Sequence, residues 1–150
     1  MIINTHYHQI LSVSDDMIRS ILADCIHFSN VVYKHVDVDD LIQKAWKTWP
    51  DPDGEKLSAG MDESGIDFTI ICGVDHLEIS SEIVLKENKT IADIAQRYPN
   101  RLTALAGIDP RRENAVDLVR ECMEEFGMKG IKYHPDLGYH PSGPESYKLL

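Results

Sequence analysis

Histidines occupy positions 6 and 8 of the sequence, separated by Tyr7. On a β-strand, residues two apart project from the same face, so a single ion can be reached by both imidazoles. Neutral imidazole nitrogens suit Zn²⁺ and other borderline divalent metals, and H-x-H at the C-terminal end of a strand is half of such a site. The pair alone is a weak motif: two exposed polar residues near the start of a chain would look the same. A third histidine, His134, lies in Lys132-Tyr133-His134-Pro135, where Lys132 and His134 would share a face. Asp75-His76 and Asp109 follow other apolar runs, and for His76 and Asp109 the structural reading is hydrogen bonding of loop backbone. Lys132 reads as a charged side chain tuning a pocket. Arg111 and Arg112 read as solvated residues ahead of a helix, with a clamp on a substrate carboxylate as the alternative. His27, His35 and His140 fall on expected helices or loops and are given no role.

These residues need elements to position them. Residues 2–7 form a short β-prone run, after which Ser14 or Asp15 offers a helix N-cap. Met17, Ile18, Ile21, Leu22, Cys25 and Ile26 recur at helical spacing, as do Val38, Leu41, Ile42, Ala45, Trp46 and Trp49 before Pro50. A shorter helix through Leu57 and Met61 should stop at Gly65. The apolar runs 68–74 and 101–108 predict strands covered on both faces. Between them, a helix through Ile83, Val84, Ile91, Ile94, Ala95 and Tyr98 ends at Pro99-Asn100. Another carries Ala115, Leu118, Val119, Cys122 and Phe126 and closes at Gly127. Residues 128–134 predict a fourth strand, and 142–150 begin a helix with Ser142 near its cap. Alternation of this kind builds βαβ units around a parallel sheet.

Composition narrows the function classes. The 43% of apolar residues are enough for a core, and the formal charge of −10 repels phosphate backbones. No basic cluster interleaved with aromatics is present, so nucleic acid and anionic membranes are not expected partners. Cys25, Cys72 and Cys122 lie far apart within apolar patterns and read as reduced core residues of a cytoplasmic protein. There is no signal-peptide pattern at the N-terminus and no apolar stretch of membrane-spanning length.

Five segments in order carry a resemblance: N-T-H-Y-H at 4–8, M-D-E-S-G-I-D at 61–67, I-A-D-I-A-Q-R-Y-P-N-R-L at 91–102, A-G-I-D-P at 106–110 and G-M-K-G-I-K-Y-H-P at 127–135. Together they resemble the amidohydrolase-related family of metal-dependent TIM-barrel hydrolases, which includes decarboxylases related to aminocarboxymuconate semialdehyde decarboxylase. The resemblance implies an α/β fold, the N-terminal portion of a (β/α)8 TIM barrel with about four parallel strands. Residues 1–150 would be an amidohydrolase-related domain truncated at its C-terminal side, since a whole barrel needs about 250 residues. It implies His6, His8 and His134 as ligands of a divalent metal, Zn²⁺ first and Mn²⁺ second. At the strand of Lys132, two-metal members can carry a carboxylated, bridging lysine. The function implied is hydrolysis of C–N or C–O bonds in a small molecule, with two alternatives: decarboxylation of a small carboxylated or aromatic compound, or a non-catalytic half-barrel. The family's later proton-handling histidine and its aspartate near the last strand have no counterpart in residues 1–150, so no catalytic residue is assigned. The expected partners are a small-molecule substrate and, for assembly, a second copy or a complementing half-barrel.

Overall fold

The computed structural model describes residues 1–19 and 37–150. The expected helical positions Ile21, Leu22, Cys25 and Ile26 lie outside the described residues, as do His27 and His35. The chain divides into two compact units, residues 10–53 and residues 1–9 with 54–150.

In the smaller unit, the Ser14 hydroxyl accepts the Met17 N–H at 3.2 Å and opens a helical turn over residues 15–19. Helix α1 (Val38–Thr48) starts at Asp37, whose carboxylate accepts the N–H groups of Asp39 and Asp40. Ile18, Ile42 and Ala45 form its small core, with Val13, Leu41 and Trp49 packed around them. Trp46, expected on the apolar face, is 47% exposed. Its indole N–H instead donates to Asp15 at 2.7 Å, which satisfies the polar end of the ring at the surface.

The larger unit holds the sheet. Strands β1 (Ile3–His8), β2 (Phe68–Cys72), β3 (Leu102–Gly107) and β4 (Ile131–Lys132) pair in parallel, in the order β1-β2-β3-β4. That order without reversal is the wall of a barrel rather than a doubly wound sheet. Helix α2 (Glu55–Ser64) precedes β2 and ends where Gly65 turns left-handed at φ 67°, the stop its sequence position predicts. Helix α3 (Ser81–Arg97) connects β2 to β3, and α4 (Ala115–Glu124) connects β3 to β4. A short helix α5 (Pro144–Tyr147) follows, with Gly143 at its N-cap, next to Ser142, and Pro144 in its first turn. No helix among the described residues is long and apolar enough to cross a membrane.

Alternation sorts the strand residues. Thr69, Ile71, Leu102, Ala104 and Ala106 are buried, while Phe68, Ile70, Thr103 and Leu105 are only half-buried. Helix α3 packs on β2 and β3 and buries Val84, Ile91, Ala92, Ile94 and Ala95. Each fully buried aliphatic side chain of this kind contributes about 1.5–3 kcal/mol. The opposite face therefore collects the half-buried set, in place of the strands covered on both faces that the apolar runs predict.

Asn88 is a polar residue on the buried side of α3 that hydrophobic periodicity does not flag. Its amide donates to Val84 O and to Gly107 O at 3.1 Å, and its side-chain oxygen accepts the Gly107 N–H at 2.9 Å. Gly107 tolerates no side chain, because a Cβ there would overlap the Gly73 carbonyl. The ends of β2 and β3 thus approach backbone to backbone, locked to α3 through one amide. The fourth strand is shorter than the expected 128–134. Ladder bonds from Lys129 N to Ala104 O and from Ala106 N to Gly130 O precede Ile131–Lys132, and Pro135 then opens a 3-10 turn.

Asn88→Ala is expected to lower unfolding stability by about 2–4 kcal/mol, because it strands two buried backbone groups of Gly107. Urea unfolding followed by circular dichroism measures this, and a loss below about 0.5 kcal/mol would contradict the clamp.

Candidate metal centre

The histidine pair is set by a bulge. Ile3 and Asn4 pair with Phe68 and Thr69, but Tyr7 and His8 pair with Ile71 and Cys72, so β1 carries one residue more than β2 over this stretch. Asn4 stabilises the irregularity by accepting the His6 N–H on its side-chain oxygen at 3.2 Å. Bulges bend a strand and re-aim side chains. Here the extra residue puts His8 in register with Cys72, and the Nε2 atoms of His6 and His8 lie 2.8 Å apart.

His134, just beyond β4, reaches the same place. Its ring centroid is 5.4 Å from that of His8, edge to face. Its Nδ1 contacts the carboxylate of Asp136, and its backbone N–H donates to the Tyr139 hydroxyl at 2.6 Å. An imidazole held by a carboxylate at Nδ1 keeps its Nε2 lone pair for a ligand. Lys132 extends Nζ to within 3.1 Å of His6 Nε2. The structure thus brings His6, His8 and His134 to one side of the sheet at the C-terminal strand ends. Among the described residues, however, the ligand atoms that lie within 4.8 Å of one another belong to His6, His8 and Cys72, a group that does not include His134. Cys72 was expected to be a core residue. It is buried, but its sulfur lies 4.0 Å from His8 Nδ1 and 3.5 Å from Tyr7 O. Sequence carries no signal for this, because the neighbour of Cys72 is chosen by the register of β1.

Electrostatics favour the ligand form of the imidazoles. Burial, then the nearby His6, Lys132 and His134, push the His8 imidazolium down to about 4, so the ring is neutral at pH 7. Burial, then the nearby Lys132 and His134, also lower His6. The donor set fits a divalent ion: two nitrogens each about 2.1 Å from one ion lie about 3.0 Å apart at a right angle and about 3.4 Å at the tetrahedral angle. The observed 2.8 Å is close to the first of these.

The other candidates serve the scaffold. Asp75 is paired with Arg112 through two contacts of 2.6 Å, with side chains 1% and 8% exposed. Arg112 also donates to the carbonyls of His76 and Ile79, and Asp75 accepts the Asp109 N–H. Asp109, 0% exposed at its side chain, is held by Arg111. Arg112 is therefore a buried structural residue and not a solvated one, because the loop after β2 supplies a carboxylate and carbonyls that sequence spacing does not reveal. Arg111 is partly exposed, stacks 5.5 Å from the Tyr139 ring centroid and is held by Asp109 as well. His76 is exposed, and His140 bonds Ser142 within its own loop.

This architecture matches solved structures. A 5-carboxyvanillate decarboxylase from Novosphingobium aromaticivorans, complexed with manganese and 4-hydroxy-3-methoxy-5-nitrobenzoic acid, superposes with a TM-score of 0.65 at 20% identity. The match covers 99% of this chain and 46% of that one. A dihydroxybenzoic acid decarboxylase from Polaromonas sp., with manganese and 2-nitroresorcinol, gives 0.62 at 16% identity over 98% and 44% of the two chains. For a 4-oxalomesaconate hydratase from Rhodopseudomonas palustris the values are 0.56, 21%, 96% and 45%. The likeness is one of fold: the chain has the architecture of part of a TIM barrel. It spans less than half the length of these structures. No protein-family model matches the sequence, and no curated protein does.

The Asp109–Arg111 pair carries a pH signature. Burial raises the Asp109 carboxyl, but the hydrogen bonds and charge of Arg111, with Arg112 behind, outweigh it and hold the group below the usual carboxylate range. A carboxyl depressed in the folded state contributes stability above its unfolded value of about 3.9, and this contribution is lost as pH falls through the folded value. Acid unfolding of Asp109→Asn is accordingly expected to be shallower than that of the unmodified chain below about pH 4. Identical acid transitions would remove Asp109 from the account. Asp75→Ala, which leaves a buried guanidinium unpaired, is expected to cost about 3–5 kcal/mol in urea unfolding.

Proposed function

We propose that this chain contributes the first metal-binding strands of a divalent-metal-dependent enzyme acting on a small molecule, hydrolysing a C–N or C–O bond. The observation that carries the reading is the His6–His8 pair, Nε2 to Nε2 at 2.8 Å, with His134 beside it at the C-terminal strand ends. Functional groups of a TIM barrel collect at this end. A divalent ion, Zn²⁺ or Mn²⁺, held by His6 and His8 with His134, supplies a Lewis acid for a carbonyl or carboxylate oxygen and lowers the pKa of water. Manganese is present in two of the similar structures, which supports a divalent ion without choosing between the two metals.

The residues of the chain have separable tasks. His6 and His8 present neutral nitrogens, and Asp136 holds the Nδ1 side of His134 so that its ring is oriented. Lys132 places a positive charge beside the pair, where it attracts the carboxylate of a substrate. This favours a second reading, decarboxylation of a carboxylated aromatic compound, and two of the similar structures are decarboxylases of such compounds. The general base is a separate matter. Asp75 and Asp109, the carboxylates following β2 and β3, are tied to Arg112 and Arg111 and are not available to take a proton from water. We place that base, and the remaining strands of the barrel, in further polypeptide: a longer form of this chain, a second copy or a complementing half. A cytoplasmic setting is part of the same proposal.

His6→Ala and His8→Ala are each expected to weaken Zn²⁺ or Mn²⁺ binding about tenfold or more, measured by equilibrium dialysis with elemental analysis; unchanged binding in both would end the metal reading. Lys132→Met is expected to weaken an aromatic carboxylate on the ion-loaded chain about tenfold, as the loss of one charge-assisted bond implies, and to leave a neutral amide or lactone unaffected. Equal effects on both ligand classes would remove the case for a carboxylated substrate. Residues 1–150 alone are expected to turn over amides, lactones and aromatic carboxylates no faster than a His6→Ala, His8→Ala control. Turnover well above it would show that the chain supplies its own base.

A further inference from the structure

Cys72 is buried, but it lies beside a histidine rather than against α3. Its strand neighbour Ile71 points into the buried layer beneath α3, whereas Cys72 projects to the face that carries the histidines. It is the register partner of His8 on the adjacent strand, so the two side chains stand next to each other on one face. We propose that Cys72 is a donor to the same ion as His6 and His8, making the centre a mixed imidazole–thiolate site that prefers a thiophilic ion such as Zn²⁺ or Co²⁺ to Mn²⁺. The inference rests on the metal reading above and deepens it.

Three observations support it. One is distance: a nitrogen and a sulfur on one tetrahedral zinc lie about 3.6 Å apart. The Cys72 sulfur is 4.0 Å from His8 Nδ1, and one ligand atom from each of the three residues falls within 4.8 Å of the others. His8 stands between its neighbours, Nε2 toward His6 and Nδ1 toward sulfur. A single ion takes one of these nitrogens, so the proposal requires the His8 ring to turn about χ2, a broad and soft torsion, when the ion binds.

Another is charge. Two imidazoles with the Lys132 side chain 3.1 Å from one of them offer a divalent ion no anionic donor, and like charges in close contact repel. Asp75 and Asp109 are held by arginines, and Asp136 is engaged by His134. Among the described residues, Cys72 supplies the negative charge when the ion displaces its thiol proton. The third is chemistry: soft thiolate selects Zn²⁺ and its relatives, while Mn²⁺ prefers oxygen. In the step itself an S–H bond breaks, a sulfur–metal bond forms, and the proton leaves to solvent.

Cobalt reports the donor directly. The full chain loaded with Co²⁺ is expected to show visible d–d bands and a sulfur-to-cobalt charge-transfer band in the near ultraviolet. Cys72→Ser keeps a hydroxyl of similar size and is expected to retain d–d bands while losing the charge-transfer band; Cys72→Ala serves if the serine variant fails to fold by circular dichroism. Cys122→Ser is expected to retain both. Zn²⁺ affinity is expected to fall about tenfold or more in Cys72→Ser, with Mn²⁺ affinity changing much less. Bound Co²⁺ without a sulfur band, or a band that survives loss of Cys72, overturns the proposal and leaves the histidine site standing. Failure of the chain to bind any of these ions overturns both.

Discussion

A parallel sheet with helices packed on one of its faces has only one other place to put chemistry. In this chain α3 seals the side of Ile71, Ala104 and Ala106, and alternation sends Cys72, Leu105, Gly107 and Lys132 to the opposite side. Parallel pairing also points all four strands the same way, so their C-terminal ends lie together. Residues separated by more than a hundred positions, His6 and Lys132, become neighbours without any specific attraction between them having to bring them there. The candidate centre is a consequence of the sheet's direction and register.

Register needs fixing at the C-terminal ends of the strands, and polar side chains do it. Asn88 ties α3 to the backbone of Gly107, and the absence of a Cβ there lets β2 and β3 close to contact. The buried Asp75–Arg112 pair then holds the loop after β2 against the turn after β3. Such a pair adds little net stability compared with apolar packing, but losing one partner is costly, so it specifies geometry more than it strengthens the fold. The loops that follow the strands start from defined positions as a result.

The same economy of partners shapes the site. Carboxylates occur at the ends of β2 and β3, where a barrel enzyme would place a base, yet both are occupied by arginines. Among the described residues, the side chains beside the His6–His8 pair are an ammonium and a thiol, while the nearby Asp136 carboxylate is engaged by His134. A centre of that composition has the donors to hold an ion and a charge to attract an anion, as the proposed function requires.

Much of this was legible from the residues. Helical periodicity, the Gly65 stop and the alternation of strands and helices identify the elements, because each depends on neighbours a few positions away. The spacing of His6 and His8 marks a possible half-site for the same local reason, and the K-Y-H-P segment marks His134. Other features depend on the partner strand or helix. The bulge in β1 is defined only against β2, and it alone makes His8 the neighbour of Cys72. Arg112 looks like any charged residue ahead of a helix until a carboxylate 37 positions earlier meets it in the interior. Asn88 breaks an apolar face until Gly107 supplies both of its backbone partners. Local sequence determines where the chain bends and which side of each element is apolar, since those are short-range properties of the backbone and of hydration. Which polar groups end up in contact is settled by packing, because burial makes each of them find a partner and only the folded chain decides which partner is within reach.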